Sequence, residues 1–186
     1  GPHSYLSPGL GIGGSNLIRD LITVINLADQ TNSDSSLVKA WLDNSAYRKE
    51  WAWRTLQDQV LKGVRKPAIA VLGLSYKENT HSTTNSPAFT LIKKLHDFKL
   101  TVYDPMVKAA AAPHPDPIEA KDPLSCVKDA DVVLIMTPWE EFRALDPADL
   151  GAVMRGKCLI DPLHVLDGKK CKKAGLTYLT LGVTDA

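Results

Sequence analysis

The chain has 186 residues, 44% hydrophobic and 23% charged, enough for one domain or a domain with a helical attachment and for an ordinary core. Its formal net charge of +1 gives no general reason to expect nucleic acid or an anionic membrane as partner, no apolar run reaches membrane-spanning length, and no secretory leader is visible. Cys126, Cys158 and Cys171 stand in no metal-ligand spacing, so a disulfide framework is not expected and the cytoplasm is the expected compartment.

Gly1-Pro2-His3 has the look of a tag-cleavage remnant and is set aside. Residues 7–20 form a glycine-rich loop running into an apolar segment. Gly9, Gly11, Gly13 and Gly14 let the backbone take positive φ and let a ligand approach bare amides at a helix start, which favour an anionic or strongly polar group. The plainer reading is a structural turn. Gly9, Gly11 and Gly14 also satisfy G-x-G-x-x-G, but that dinucleotide fingerprint needs a strand before it, and residues 1–6 are too few for a convincing core strand.

Leu17, Leu21, Val24, Ile25 and Ala28 then fall near one face of a helix. The polar run 31–36 turns the chain, with Asp34 or Ser35 as cap of the next helix. Residues 37–62 read as one long helix, or two with a break near residues 43–45. Its apolar stripe includes Leu37, Trp41, Leu42, Trp53, Leu56, Val60 and Leu61. Trp41, Trp51 and Trp53 either pack against the rest of the molecule or mark a subunit interface. Residues 63–67 read as a hinge-like linker, which divides the chain into a helical part (1–63) and a second part (64–186).

From residue 68 the pattern alternates between strand and helix. Residues 68–74 are a continuous apolar run, as in a strand buried on both faces. Ser86-Pro87 starts a helix, with Ser86 as cap and Pro87 in the first turn. Residues 100–103, 131–136, 157–161 and 177–179 are the further strands. Residues 106–122 read as an irregular excursion, and helices are expected at 123–127, from 137 to 143, from 146 to 154 and within 163–174. The fold class is therefore α/β: a helical N-terminal segment followed by a Rossmann-like, mostly parallel open sheet. Such sheets bind ligands at the carboxyl ends of their strands, and the loop after Leu74 lies at one.

The glycine loop resembles the active-site loop of the UDP-glucose/GDP-mannose dehydrogenase family, P-G-x-G-x-G-G-x-C-x-x-K-D, in Pro8, Gly9, Gly11, Gly13, Gly14 and Asp20. Gly73-Leu74-Ser75-Tyr76-Lys77 with Thr80 and Ser86-Pro87 is similar to its G-L-x-F-K-x-x-T-x-D-x-R-x-S-P, and Tyr103-Asp104-Pro105 to its Y-D-P. Asp129-Ala130-Asp131-Val132-Val133, then Thr137, Trp139 and Glu141-Phe142, is similar to its D-A-D-V-V and T-x-W-x-E-F. These landmarks span nearly the whole chain in the family's order. The resemblance covers part of the family's central helices, which build its dimer, and its C-terminal nucleotide-binding domain. It does not cover the N-terminal NAD-binding domain, so no cofactor is expected in this chain although the family uses NAD. A UDP-sugar is the implied ligand, with Gly11, Gly13, Gly14, Leu17, Tyr76 and Lys77 as candidate contacts.

The family oxidises a sugar's primary alcohol to a carboxylate in two NAD-linked steps, through a thiohemiacetal and a thioester on its cysteine. Asn16 stands at that position, and a carboxamide is no nucleophile at neutral pH. Arg19 replaces the family's lysine. Asp20 matches an aspartate that helps activate water, but without a thioester it has nothing to hydrolyse. Thr84 and Leu163 fall where the family has arginines that face the dinucleotide and the substrate phosphate, and His81 and Ser82 replace acidic residues. Lys77 could supply charge to a phosphate, and Tyr76 a ring to a base or sugar. His81, His114 and His164 show no metal spacing. The reading is a non-catalytic nucleotide-sugar-binding or dimerising relative. The alternatives are a truncated piece of an active NAD-dependent UDP-sugar 6-dehydrogenase, or a scaffold that binds partners without a ligand.

Overall fold

The structure, a computed structural model, describes residues 9–183; Pro8 of the glycine motif and the tag-like start lie outside the described residues. After the glycine loop come α1 (Asn16–Gln30) and α2 (Ser36–Lys49), which pack on each other. The turn between them is held by Asp34, whose two carboxylate oxygens accept from the amide and hydroxyl of Ser36 at 3.0 and 2.9 Å. Ser35 occupies the cap position without a side-chain bond.

Of the two readings of residues 37–62, one long helix or two with a break near residues 43–45, neither holds as it stands. α2 runs through residues 43–45, and the interruption falls at Glu50, before α3 (Trp51–Leu56) and a π-turn (Gln57–Leu61). Tertiary contacts outweigh the weak local propensity of Asp-Asn-Ser. Ser45 is buried and accepts from the amide of Ile12, which fixes it in the helix. The bend at Glu50 turns Ala52, Leu56 and Val60 into the core, with Trp51 and Trp53 packed at its margin.

The second part is a six-stranded sheet: β1 (Ala68–Leu72), β2 (Lys99–Tyr103), β3 (Ile118–Glu119), β4 (Val132–Ile135), β5 (Cys158–Ile160) and β6 (Thr177–Leu179). The order is β3-β2-β1-β4-β5-β6 and every pairing is parallel. Five strands were expected; the excursion 106–122 contributes the sixth, together with a short 3₁₀ turn (Ala109–Ala111). The central strands β1 and β4 are registered Ile69 to Val132 through Leu72 to Ile135, and all eight residues are buried. That explains their unbroken apolar sequence, because a parallel strand covered on both faces has no polar side to show.

Crossovers are carried by α4 (Pro87–Ile92), α5 (Pro123–Val127), α6 (Glu140–Arg143), α7 (Pro147–Val153) and α8 (Gly168–Lys173). Helix α6 is one turn, shorter than the segment expected from residue 137. As expected, Ser86 caps α4, its Oγ accepting from the Ala88 amide with Pro87 at the first position. Two cores result. One joins α3, the π-turn and α4 to one face of the sheet through Leu56, Ile69, Leu91 and Leu100. The other joins α5, α6, α7 and α8 to the opposite face through Leu72, Val127, Phe142 and Leu150. The strand order reverses between β1 and β4, so the crevice of the fold opens at their carboxyl ends.

Candidate nucleotide-sugar site

The loops at that crevice are built around one carboxylate. Asp104, following β2 and buried, accepts through Oδ2 from the amides of Leu74 (2.7 Å) and Ser75 (3.1 Å), from the Ser75 hydroxyl (3.3 Å) and from Trp139 Nε1 (3.1 Å). Its Oδ1 accepts from the amides of Met106 and Val107, both at 2.9 Å. A buried charge is tolerated only with such full pairing. The result is that the loops after β1, β2 and β4 are tied to one point. Thr137 Oγ1 donates to Ser75 O at 2.7 Å and Ser86 Oγ to Leu74 O at 2.8 Å, so both ends of the loop 73–86 are anchored.

The glycine loop lies between this loop and α2. On the α2 side, Ser45 Oγ accepts from Ile12 N at 2.8 Å, and Arg48 Nε donates to Gly9 O at 3.3 Å. On the other side, Gly14 N donates to Thr84 O at 2.9 Å, and Asn85 Nδ2 to Gly14 O at 2.8 Å. The glycines are required by contact. Gly11, at φ +86°, leaves a Cβ only 2.5 Å from Ser45 O, and Gly13 leaves one 2.9 Å from the Tyr76 ring. The Tyr76 ring thus packs along Gly13 and Gly14.

Of the sequence-derived candidates, the structure brings Gly13, Gly14 and Tyr76 into contact, with Lys77 Nζ 5.7 Å from the Tyr76 ring centre and exposed. Gly11 rests on α2 instead. Asn16, Leu17 and Asp20 follow on the first turns of α1, all exposed. No side chain caps α1 and no acidic residue sits in its first turn, so the amides at its start meet no protein carboxylate there. Arg19 donates to Asp20, Nη2 to Oδ1 at 2.9 Å, which engages both charges with each other. Leu163 lies beside Gly9, its Cδ2 3.9 Å from where a Cβ would stand, so an apolar side chain borders the loop there.

Sequence reasoning missed Ser45, Arg48, Asn85 and the Asp104 hub. Only Asp104 carried a signal, in Tyr103-Asp104-Pro105. Lys49, four residues after Ser45 on the same face of α2, is half-buried, and desolvation pulls its ammonium below the usual lysine range.

The turn after β1 does not fit a dinucleotide held in the Rossmann manner. Gly73 is pressed against Thr137, whose Cβ would be 2.5 Å from an added Cβ, and α4 opens with Pro87 and an Ala88 amide already bonded to Ser86. The thiols stand elsewhere: Cys126 on α5, Cys158 at the start of β5 and Cys171 on α8. Burial pushes Cys126 far above the usual thiol range, and Cys158 and Cys171 to about 11, so none is a thiolate at neutral pH.

An open, all-parallel sheet with helices on both faces, and a glycine loop tied to the loop after β1, define a Rossmann-like α/β class. Residues 70–168, more than half of the chain, match the UDP-binding domain of the UDP-glucose/GDP-mannose dehydrogenase family, and the chain belongs to that family. It is 30% identical over 184 residues to a UDP-glucose 6-dehydrogenase of Rhizobium meliloti, covering 97% of this chain and 42% of that protein. The structure is similar to a UDP-D-ManNAc dehydrogenase of Pyrococcus horikoshii, with a TM-score of 0.79 and 26% identity over 100% of this chain and 43% of that one. A UDP-glucose dehydrogenase of Pyrobaculum islandicum gives a TM-score of 0.75 at 28% identity, covering 92% and 38%. The chain therefore spans less than half the length of these relatives. Among the described residues, no helix is long and apolar enough to cross a membrane, and no cluster of metal-binding side chains occurs.

Proposed function

We propose that this chain binds a nucleotide sugar between the glycine loop and the loop 73–86 without carrying out the oxidation. The observation that carries the reading is Asn16 at the head of α1, where the family's reaction needs a thiolate, with every thiol remote and protonated. Amides at the start of α1 and the exposed ammonium of Lys77 would face the diphosphate. Gly13 and Gly14 would let the Tyr76 ring close against the loop, and Gly11 would let the loop close against α2, so that the three glycines shape the site, with Leu17 against the sugar. Asp20, bound to Arg19, has no acyl-enzyme to hydrolyse. In this reading residues 1–63 pair two copies through α1 and α2, and residues 64–186 hold the nucleotide.

The test is isothermal titration with UDP, UDP-glucose, GDP-mannose and NAD, beside an NADH-formation assay. Saturable binding of a UDP-sugar, weakened by Lys77→Ala, with no NADH formed, is the expected result. NADH formed by this chain with any UDP-sugar would overturn it. The rival reading, a portion of a working dehydrogenase, draws on the 42% coverage of the Rhizobium meliloti relative. It predicts that the full gene product has a cysteine at position 16 and a preceding NAD-binding half.

A further inference from the structure

A second concavity opens over the other core, between the α6–α7 junction and α8, with a volume of about 610 Å³. None of its lining belongs to the glycine loop or to residues 73–86. Its floor is apolar, from Leu145, Pro147 and Leu166. Arg143 stands on one wall, and Lys170 and Lys173 on the other. The two lysines are three apart on α8 and share a face, and neither makes an ion pair among the described residues.

Two carboxylates also line the cavity; both accept from backbone amides, and Asp167 also feels the charges of Lys169 and Lys170, which partly offsets Lys170. Asp146 accepts from Ala148 N at 2.9 Å, and Asp167 from the amides of Lys169 and Lys170 at 2.8 and 3.2 Å. Arg143 is the connected member. Its Nη1 bonds Glu78 at 3.0 Å and Glu140 at 3.1 Å. Glu78 directly follows Lys77 in the loop that packs on the glycine loop.

We propose that this cavity is a second ligand site, for a small organic anion with a ring-sized apolar body and one phosphate or carboxylate group, and that it is coupled to the loop 73–86 through Arg143 and Glu78. The volume is that of a small-molecule pocket. The floor takes the apolar body, and Lys170, Lys173 and Arg143 take the charge. An anion that recruits Arg143 competes with Glu78 for the same guanidinium and so loosens the loop carrying Tyr76 and Lys77. The coupling is reciprocal, as any linkage of two equilibria must be. The cavity itself stands independently of the nucleotide-sugar reading, since none of its lining belongs to that site, whereas the coupling runs into the loop that reading uses.

The experiment is a titration of the ¹⁵N-labelled chain with phenyl phosphate, benzoate and inorganic phosphate. Saturable shifts of the amides at 144–148 and 166–174 are expected with phenyl phosphate or benzoate, and the tighter of the two identifies the charged group. Inorganic phosphate should bind more weakly. Equal affinity would mean the apolar floor is unused and would overturn the organic-ligand claim. The double variant Lys170→Ala/Lys173→Ala, both positions exposed, should weaken binding about tenfold. Absent shifts, or shifts unchanged in that variant, would overturn the site. Glu78→Gln should leave Arg143 paired with Glu140 alone and tighten the favoured probe several-fold; an unchanged affinity would overturn the coupling.

Discussion

The two ends of this chain treat apolar residues in opposite ways. In the sheet, β1 and β4 bury every side chain from Ile69 to Leu72 and from Val132 to Ile135, and the flanking helices close both faces. In α1, Leu21 is buried, while Leu17, Ile22, Val24 and Leu27 stand in solvent; on α2, Leu37, Trp41 and Tyr47 do the same. Both regions are rich in apolar side chains, but among the described residues only those of β1 and β4 are covered throughout. A hydrophobic pattern in the sequence therefore does not say that its cover is intramolecular. The difference also predicts where substitutions act. In the sheet they should act on folding; in α1 and α2 they should leave folding nearly unchanged and test whether that face associates.

The largest effect is expected in the sheet. Phe142 is fully buried against the second core, with its ring centre 6.1 Å from that of Tyr103. Phe142→Ala should cost about 3–5 kcal/mol, read as a lower urea midpoint at unchanged slope. A loss below about 1 kcal/mol would mean that this side of the sheet is far less tightly packed than its burial indicates. Next comes Asp104→Ala, which strips the acceptor from four backbone amides, the Ser75 hydroxyl and the Trp139 indole. Leaving such buried donors unpaired should cost about 2–4 kcal/mol. It should also release the loop 73–86, visible as faster amide exchange at Leu74 and Ser75. Unchanged protection there would show that Thr137 and Ser86 suffice to hold the loop.

Smaller, and pH-dependent, is the pair at the amino end of β1. Asp131 accepts from Arg155 and from the Ala68 amide at 2.7 Å, and the Arg155 hydrogen bond, opposed by burial, holds its carboxyl below the usual range. A depressed carboxyl contributes stability above its unfolded value and loses it as pH falls through the folded one. Asp131→Asn should thus lower Tm by a few degrees near pH 6, and the gap should begin to narrow below about pH 4 and close as pH falls through the lower folded value, as wild type takes up the same proton. A gap that shows no narrowing at all as pH falls below about 4 would assign the effect to packing.

Much of the sheet was legible because its signals are local. The unbroken apolar runs, the Ser86-Pro87 start and the Asp146-Pro147 start each lie within a few residues. Ile118–Glu119 was not legible: the strand has two residues, both exposed, and only its pairing with Thr101 and Val102 makes it one. The break at Glu50 was misplaced because Ser45 stays helical for a reason 33 residues away, the amide of Ile12. The site shows the same division. The glycines and Tyr76-Lys77 could be picked out singly, but nothing local announces that Tyr76 lies along Gly13, or that Ser45 and Arg48 hold the loop from behind.

The smallest effect on folding should accompany the largest effect on assembly. Val24 and Trp41 are each about half exposed, at 48% and 52%, so Val24→Ser and Trp41→Ser remove little buried area and should each move stability by less than about 0.5 kcal/mol. If α1 and α2 pair two copies, both residues are covered in the dimer, and aromatic side chains at the centre of an interface carry a disproportionate share of its free energy. Trp41→Ser should then raise the dissociation constant by about tenfold or more in sedimentation equilibrium, and Val24→Ser by less. A wild-type chain that is monomeric at every concentration tested would remove self-association as the cover for this face. Association unchanged by either substitution would place the interface elsewhere. In both cases the contrast between the two ends of the chain would stand, and the partner of α1 and α2 would have to be a different surface, one whose apolar residues match the line from Leu17 through Val24 and across to Trp41.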